Sequence, residues 1–78
     1  METFFTLQEA KVGKTYTIVS MCKSIEIKTK TRLFELGFFE NEKVKILAKS
    51  LLGGVLLVEI NNTVLTLRKT EAGCVVVK

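Results

Sequence analysis

The chain has 78 residues and a net charge of +4, and 47% of its residues are hydrophobic. This length predicts a single domain over residues 1–78, and this apolar content lets a core form without disulfides or a structural metal. The Lys residues are scattered singly along the chain, whereas a nucleic-acid-binding surface normally clusters its basic residues among aromatics. We therefore expect no nucleic-acid partner.

Targeting and redox signals predict a cytoplasmic protein. The first residues do not form the basic and apolar regions of a signal peptide. The longest apolar run extends from Leu51 to Val58, contains Gly53 and Gly54, and is far shorter than the about 18 residues of a membrane span. Two cysteines are too few for a secreted disulfide scaffold, so a reducing compartment is expected.

The first part of the chain predicts a helical turn and then a strand. Leu7–Ala10 can form a single turn that Gly13 ends. Thr15–Met21 is rich in β-branched residues, which favour a first strand.

One short helix is predicted over Thr29–Leu36. Either its first residue or Ser24 can cap its start. Gly37 can adopt the positive φ that ends a helix, and Phe38 can then fold back on Leu33 in a Schellman-type ending.

The rest of the chain predicts strands. Asn61 and Asn62 tolerate positive φ better than most residues, so they suit a type I′ hairpin turn. Residues 68–71 predict one helical turn before the last strand. Five short strands with one inserted helix favour a small barrel, because closure removes exposed edges. After the first strand, the predicted strands are Val44–Ala48, Val55–Ile60, Thr63–Leu67 and Cys74–Val77.

The residue types that catalysis and metal binding need are scarce. The chain contains no His and no Asp, so we expect neither enzymatic activity nor a resident metal ion. Cys22 and Cys74 supply only half of a closed four-ligand zinc site. If the first and last strands pair, these cysteines can approach each other, but the expected state is two buried thiols that pack as small hydrophobes.

Several segments resemble the FeoA family, and together they cover nearly the whole chain. Thr31–Phe38 (TRLFELGF) resembles the family's helix, which carries R-L-x-E-L-G, and Leu65–Ala72 (LTLRKTEA) resembles its L-A-L-R-x-x-E-A. Leu51–Gly54 resembles the loop before the family's central hairpin, and Tyr16–Val19 resembles its opening strand. The resemblance implies a mainly β fold with one short helix, a small SH3-like five-stranded barrel.

The resemblance also implies a non-enzymatic, cytoplasmic accessory protein of ferrous-iron uptake. FeoA-like proteins are partners of FeoB, a membrane permease with a cytosolic GTPase domain, so the expected role is adaptor or regulator of that permease. An adaptor needs an exposed apolar surface with a polar rim. Two adjacent Phe are difficult to bury together, and so are two Leu in a glycine loop. The expected partner-binding residues are Phe38, Phe39, Leu51 and Leu52, with Arg32 and Lys49 at the rim.

The sequence also allows functions other than that of an adaptor. A similar SH3-like domain is appended to iron-dependent repressors, so the alternative is a free-standing metal- or effector-sensing module. Glu and two Cys make a poor ligand set for such a sensor, so no cofactor is predicted, and transient binding of ferrous iron is left open. The same apolar residues can also support self-association. A nucleic-acid-binding barrel is the third hypothesis, and the scattered Lys argue against it.

Overall fold

The computed structural model describes residues 3–78 and confirms a mainly β fold with one principal helix. Six strands form one sheet, and a 3₁₀ turn at Leu7–Glu9 follows the first of them. In chain order, the strands and helices are β1 (Phe5–Thr6), β2 (Thr15–Met21), α1 (Ile27–Glu35), β3 (Lys43–Lys49), β4 (Val55–Ile60), β5 (Thr63–Arg68), α2 (Lys69–Ala72) and β6 (Val75–Val77).

The strands pair in the order β1-β6-β2-β3-β4-β5, and all pairs are antiparallel. β2 joins the two halves of the sheet, because residues 15–17 pair with β3 and residues 18–21 pair with β6. The register shifts between Ile18 and Ser20, where the strand passes from one half to the other. Within residues 3–78, no pairing joins β1 to β5, so the sheet is not closed. The expectation of five strands in a closed barrel is therefore wrong in strand number and in closure, although the mainly β fold is confirmed. The sixth strand is β1, whose two residues are too few to show a periodic pattern.

α1 begins two residues before its predicted start and ends at Glu35, one residue before its predicted end, with Leu36 as the C-cap. Glu26 occupies the N-cap position without a side-chain hydrogen bond, so the expectation that Ser24 or Thr29 caps the helix is wrong. Gly37 has a φ of 101°, which favours glycine. The Gly37 N–H donates to the Phe34 carbonyl at 3.0 Å, and the Phe38 N–H donates to the Leu33 carbonyl at 2.9 Å. These two bonds confirm the Schellman-type ending.

Asparagines provide the positive φ values of two turns. Asn61 and Asn62 have φ values of 49° and 63° and connect the paired residues Ile60 and Thr63, which confirms the predicted two-residue hairpin. Asn41 has a φ of 72° in the turn before β3. Short polar side chains tolerate this left-handed region at lower cost than other non-glycine residues.

The predicted bounds of the other elements are close to the observed ones. β2 and β4 coincide with their predicted ranges, and α2 forms the expected helical turn after β5. The N-terminal turn covers Leu7–Glu9 with Ala10 as its C-cap, so Gly13 does not end it as expected. Fourteen hydrophobic side chains in the described residues are buried at 1% exposure or less, and they form one cluster. Twelve members come from the 3₁₀ turn, both helices and every strand except β1, and the other two, Ala10 and Phe38, lie in the segments that follow the 3₁₀ turn and α1.

A disulfide links Cys22 to Cys74, with 4.8 Å between their Cα atoms. The Cys22 N–H donates to the Cys74 carbonyl at 2.8 Å, which extends the β2–β6 ladder by one residue. The predicted approach of Cys22 to Cys74 through pairing of their strands therefore occurs. The expectation of two separate thiols is wrong, because strand pairing brings these two positions opposite each other.

Candidate docking surface

The six residues predicted to bind a partner occupy three different environments. Phe38 is 1% exposed and belongs to the core, so the expectation that it is available to a partner is wrong. The Schellman-type ending turns the chain back over α1, and this places the Phe38 ring against the core. Phe39 points the other way and is 51% exposed.

Phe39 stacks on Phe34 of α1. The two ring centroids are 5.7 Å apart and the ring planes differ by 10°. The Lys30 ammonium lies 5.6 Å from the Phe34 centroid, within the range of a cation–π contact. Phe34 was absent from the predicted contacts. It follows the core residue Leu33 directly, and successive residues of a helix are about 100° apart around its axis, so Phe34 lies beside the core face. This position next to Leu33 could have indicated Phe34 from the sequence.

A groove of about 450 Å³ lies between the second half of β2 and α1. We call it the β2–α1 groove. Its only charged residues are Lys30 and Glu40, and most of its other side chains are apolar. It is lined by Ile18, Val19, Ser20, Met21, Lys30, Phe34, Phe38, Phe39 and Glu40.

Leu51 and Leu52 form a second exposed apolar site in the turn between β3 and β4. They are 100% and 94% exposed, as the sequence predicted. The turn is held by its own backbone, because the Ser50 N–H donates to the Val55 carbonyl at 2.9 Å and the Gly53 N–H donates to the Ser50 carbonyl at 2.9 Å. We call this site the Leu51–Leu52 tip. It belongs to a different part of the fold from the β2–α1 groove.

The two predicted rim residues contact other elements of the same chain. The Arg32 guanidinium lies 3.6 Å from the Glu71 carboxylate and donates to the Thr66 carbonyl at 3.4 Å, which connects α1 with β5 and α2. The Lys49 ammonium donates to the Gln8 carbonyl at 3.3 Å. These contacts hold elements together, and both residues are exposed.

Within residues 3–78, no three His, Cys, Asp or Glu side chains come together as a metal site. The chain contains no His, and the two sulfur atoms are bonded to each other. The donor atoms of residues 3–78 therefore do not fit a resident transition-metal ion. No helix in the described part of the chain is long and apolar enough to cross a membrane.

The architecture and its exposed apolar sites define a small SH3-like β domain. Residues 5–78 match the model of the FeoA domain, and the chain belongs to the FeoA family. The predicted resemblance and the SH3-like fold class are thereby confirmed. No curated protein matches the chain.

Solved structures support the same family. A FeoA from Stenotrophomonas maltophilia in complex with zinc is 36% identical, with a TM-score of 0.83 over 95% of this chain and 89% of that one. It is described as an SH3 domain protein and a candidate activating factor of bacterial ferrous-iron transport. FeoA from Chlorobium tepidum is 32% identical, with a TM-score of 0.85 over 94% of this chain and 68% of that one.

A similar fold occurs in a manganese-dependent transcriptional repressor in complex with manganese. Its TM-score is 0.87 at 16% identity, over 99% of this chain and 37% of the repressor. At this identity the likeness concerns the fold alone. The FeoA family and a fold shared with a metal-dependent repressor are therefore established.

Proposed function

We propose that this protein is a non-enzymatic, cytoplasmic accessory protein of ferrous-iron uptake that docks on a FeoB-type permease and regulates its GTPase domain. Family membership and the description of the Stenotrophomonas relative support the transport role. The observation that carries the docking role is the Leu51–Leu52 tip. Two nearly fully exposed leucines add little to the fold, and apolar side chains of this kind anchor protein interfaces.

A double variant, Leu51→Ser with Leu52→Ser, tests this proposal. We expect its binding to the detergent-solubilised permease, measured by surface plasmon resonance, to weaken at least tenfold. Its melting temperature is expected to stay within about 2 °C of the wild type, because exposed substitutions change stability little. Val64→Ser is the matched control, since Val64 is a 54% exposed apolar residue on a different element. Unchanged binding of the double variant, or equal loss in the control, contradicts docking through the tip.

The alternative function is a metal- or effector-sensing module, and the fold shared with the manganese-dependent repressor favours it. The donor set of this chain opposes it, because the described residues contain no cluster of three ligands. We predict that the purified protein holds no stoichiometric zinc or iron. Elemental analysis that finds about one metal per chain, lost in Cys22→Ser or Cys74→Ser, would favour the sensor over the adaptor.

A further inference from the structure

The second half of β2 has a strand neighbour on only one side. β3 pairs with residues 15–17 and β6 pairs with residues 18–21. On the side away from β6, Ile18 bonds to the turn before β3, since its N–H donates to the Glu42 carbonyl at 2.9 Å and its carbonyl accepts from the Asn41 N–H at 2.8 Å. Beyond Ile18, this edge of β2 faces no strand among residues 3–78.

The hydrogen-bond pattern gives the direction of the next backbone groups. Cys22 donates to Cys74, so this pair is a hydrogen-bonded position of the antiparallel β2–β6 ladder. Hydrogen-bonded and non-hydrogen-bonded positions alternate in such a ladder. Met21, which is paired with Val75, therefore directs its N–H and carbonyl away from β6, and Met21 lines the β2–α1 groove. The groove thus offers an open strand edge along one wall.

The opposite wall supplies apolar area. Phe34 and Phe39 line the groove with their stacked rings, and they are 39% and 51% exposed. A groove of about 450 Å³ lies within the size range of concave, mostly apolar binding sites. An extended chain that enters beside β2 can therefore place alternate side chains against these rings.

The charged residues of the groove indicate which charge the partner carries. Within residues 3–78, the one pair of opposite charges closer than 4.0 Å is Arg32 with Glu71. Lys30 and Glu40 therefore have no oppositely charged partner among these residues. The Lys30 ammonium stands over the Phe34 ring at the groove. A carboxylate carried by the incoming chain can pair with Lys30, and the ring below shields this pair from water on one side.

We propose that the β2–α1 groove binds an extended segment of a protein partner, which adds a strand to the free edge of β2. The segment carries alternating apolar residues that contact Phe34 and Phe39, and an acidic residue that pairs with Lys30. Backbone bonds to Met21 provide affinity, and the side-chain contacts provide specificity. This inference rests on the proposed docking role and assigns a second contact to it, separate from the Leu51–Leu52 tip.

A displayed library of random heptapeptides tests the proposal with the full chain. We expect enriched peptides to alternate apolar residues and to carry Asp or Glu. Lys30→Glu is expected to weaken their binding at least tenfold, and exchanging the peptide's acidic residue for Lys is expected to restore it. Lys28→Glu is the matched control, because Lys28 is exposed on the same helix but does not line the groove. Failure to enrich any peptide, or equal binding by Lys30→Glu, overturns the proposal.

Strand addition itself is tested on the best enriched peptide. N-methylation of alternate backbone amides removes the strand hydrogen bonds and keeps every side chain. The alternate amides form two sets, and we expect methylation of one set to lower the affinity at least tenfold. Binding of the unmodified peptide is expected to change the amide chemical shifts of Val19 to Met21 in NMR spectra of the labelled protein. If peptides methylated in either set bind as well as the parent peptide, the groove is an apolar pocket without strand addition. If the shifts appear on dilution without peptide, the groove binds a second copy instead.

The same assays separate this inference from the docking role. If Lys30→Glu and Phe39→Ser bind the permease normally while the double Leu51 and Leu52 variant does not, docking through the tip stands and the groove is not a second contact with the permease. If the peptides bind as expected but no variant affects permease binding, the groove recognises a different partner and the proposed function fails.

Discussion

Phe38 and Phe39 are adjacent in the chain but differ in exposure, at 1% and 51%. The cause is local backbone geometry. Gly37 takes the left-handed conformation that ends α1, and the chain then turns so that one ring enters the core and the next contacts Phe34 on the surface. The two residues therefore serve as each other's control in tests of stability.

We predict that Phe38→Ala lowers the free energy of unfolding by about 3–5 kcal/mol, because it leaves a cavity in the core. Phe39→Ala is expected to change it by less than about 1 kcal/mol, since about half of that side chain is already in water. Urea unfolding followed by circular dichroism measures both values. A similar loss in the two variants would show that Phe39 packs as a core residue.

Gly37 gives a second prediction at this scale. Its φ of 101° disfavours any side chain, and an added Cβ would collide with the Asn61 side chain. Gly37→Ala is therefore expected to destabilise the protein by more than about 1 kcal/mol. Gly54→Ala is the control, because an added Cβ there meets nothing within 4 Å. Thermal unfolding compares the two variants, and equal melting temperatures would contradict the strain at Gly37.

At the scale of elements, the β4–β5 hairpin carries the longest continuous ladder, with six paired residues on each strand. The turn holds Asn61 and Asn62 at positive φ, where a Cβ costs energy. α1 is attached differently. Leu33 is its one fully buried side chain, and Arg32 connects it to β5 and α2. The helix thus depends on a few contacts, whereas the hairpin is stabilised along its whole length.

The hairpin turn can be improved. We predict that Asn62→Gly stabilises the protein by about 0.5–1 kcal/mol, because type I′ turns favour glycine at the second position. Asn62→Val is expected to destabilise it by at least about 1 kcal/mol, since a β-branched residue is poorly accommodated at a φ of 63°. Chemical denaturation of the three proteins in parallel provides the measurement. The opposite order of stability would show that Asn62 makes a contact that the turn requires.

At the scale of the whole molecule, β2 is the central element. It belongs to both halves of the sheet, forms one wall of the β2–α1 groove, and leads into Cys22 at its end. The disulfide therefore lies next to the proposed strand-addition edge. It also spans most of the domain, since its two cysteines are 52 positions apart in the chain.

We predict that reduction of this disulfide lowers the free energy of unfolding by about 4 kcal/mol, because a closed loop of 52 residues restricts the unfolded chain. Urea unfolding with and without a phosphine reductant measures the change. The double variant Cys22→Ser with Cys74→Ser is the control and should not respond to the reductant. No difference for the wild type would mean that the cysteines are not linked in solution. In a reducing cytoplasm the less stable dithiol form is the one expected.

Much of the fold follows from signals that act over a few residues. The β-branched run of β2, the alternation in β4, the stop at Gly37 and the Asn61–Asn62 turn each specify local backbone geometry, so these features were predictable. The exposure of Leu51 and Leu52 was predictable for the same reason, because two adjacent leucines in a tight glycine turn have no neighbouring wall to cover them.

Packing between distant segments determined the remaining features. β1 exists only because residues 5–6 lie beside β6, and the start of α1 has no side-chain cap that a sequence could reveal. The Cys22–Cys74 bond and the β2–α1 groove both depend on how separate elements pack together. Local propensity acts between neighbours along the chain, so it can be read from the sequence. Burial and grooves depend on contacts between segments in three dimensions, and the sequence alone does not show which segments meet.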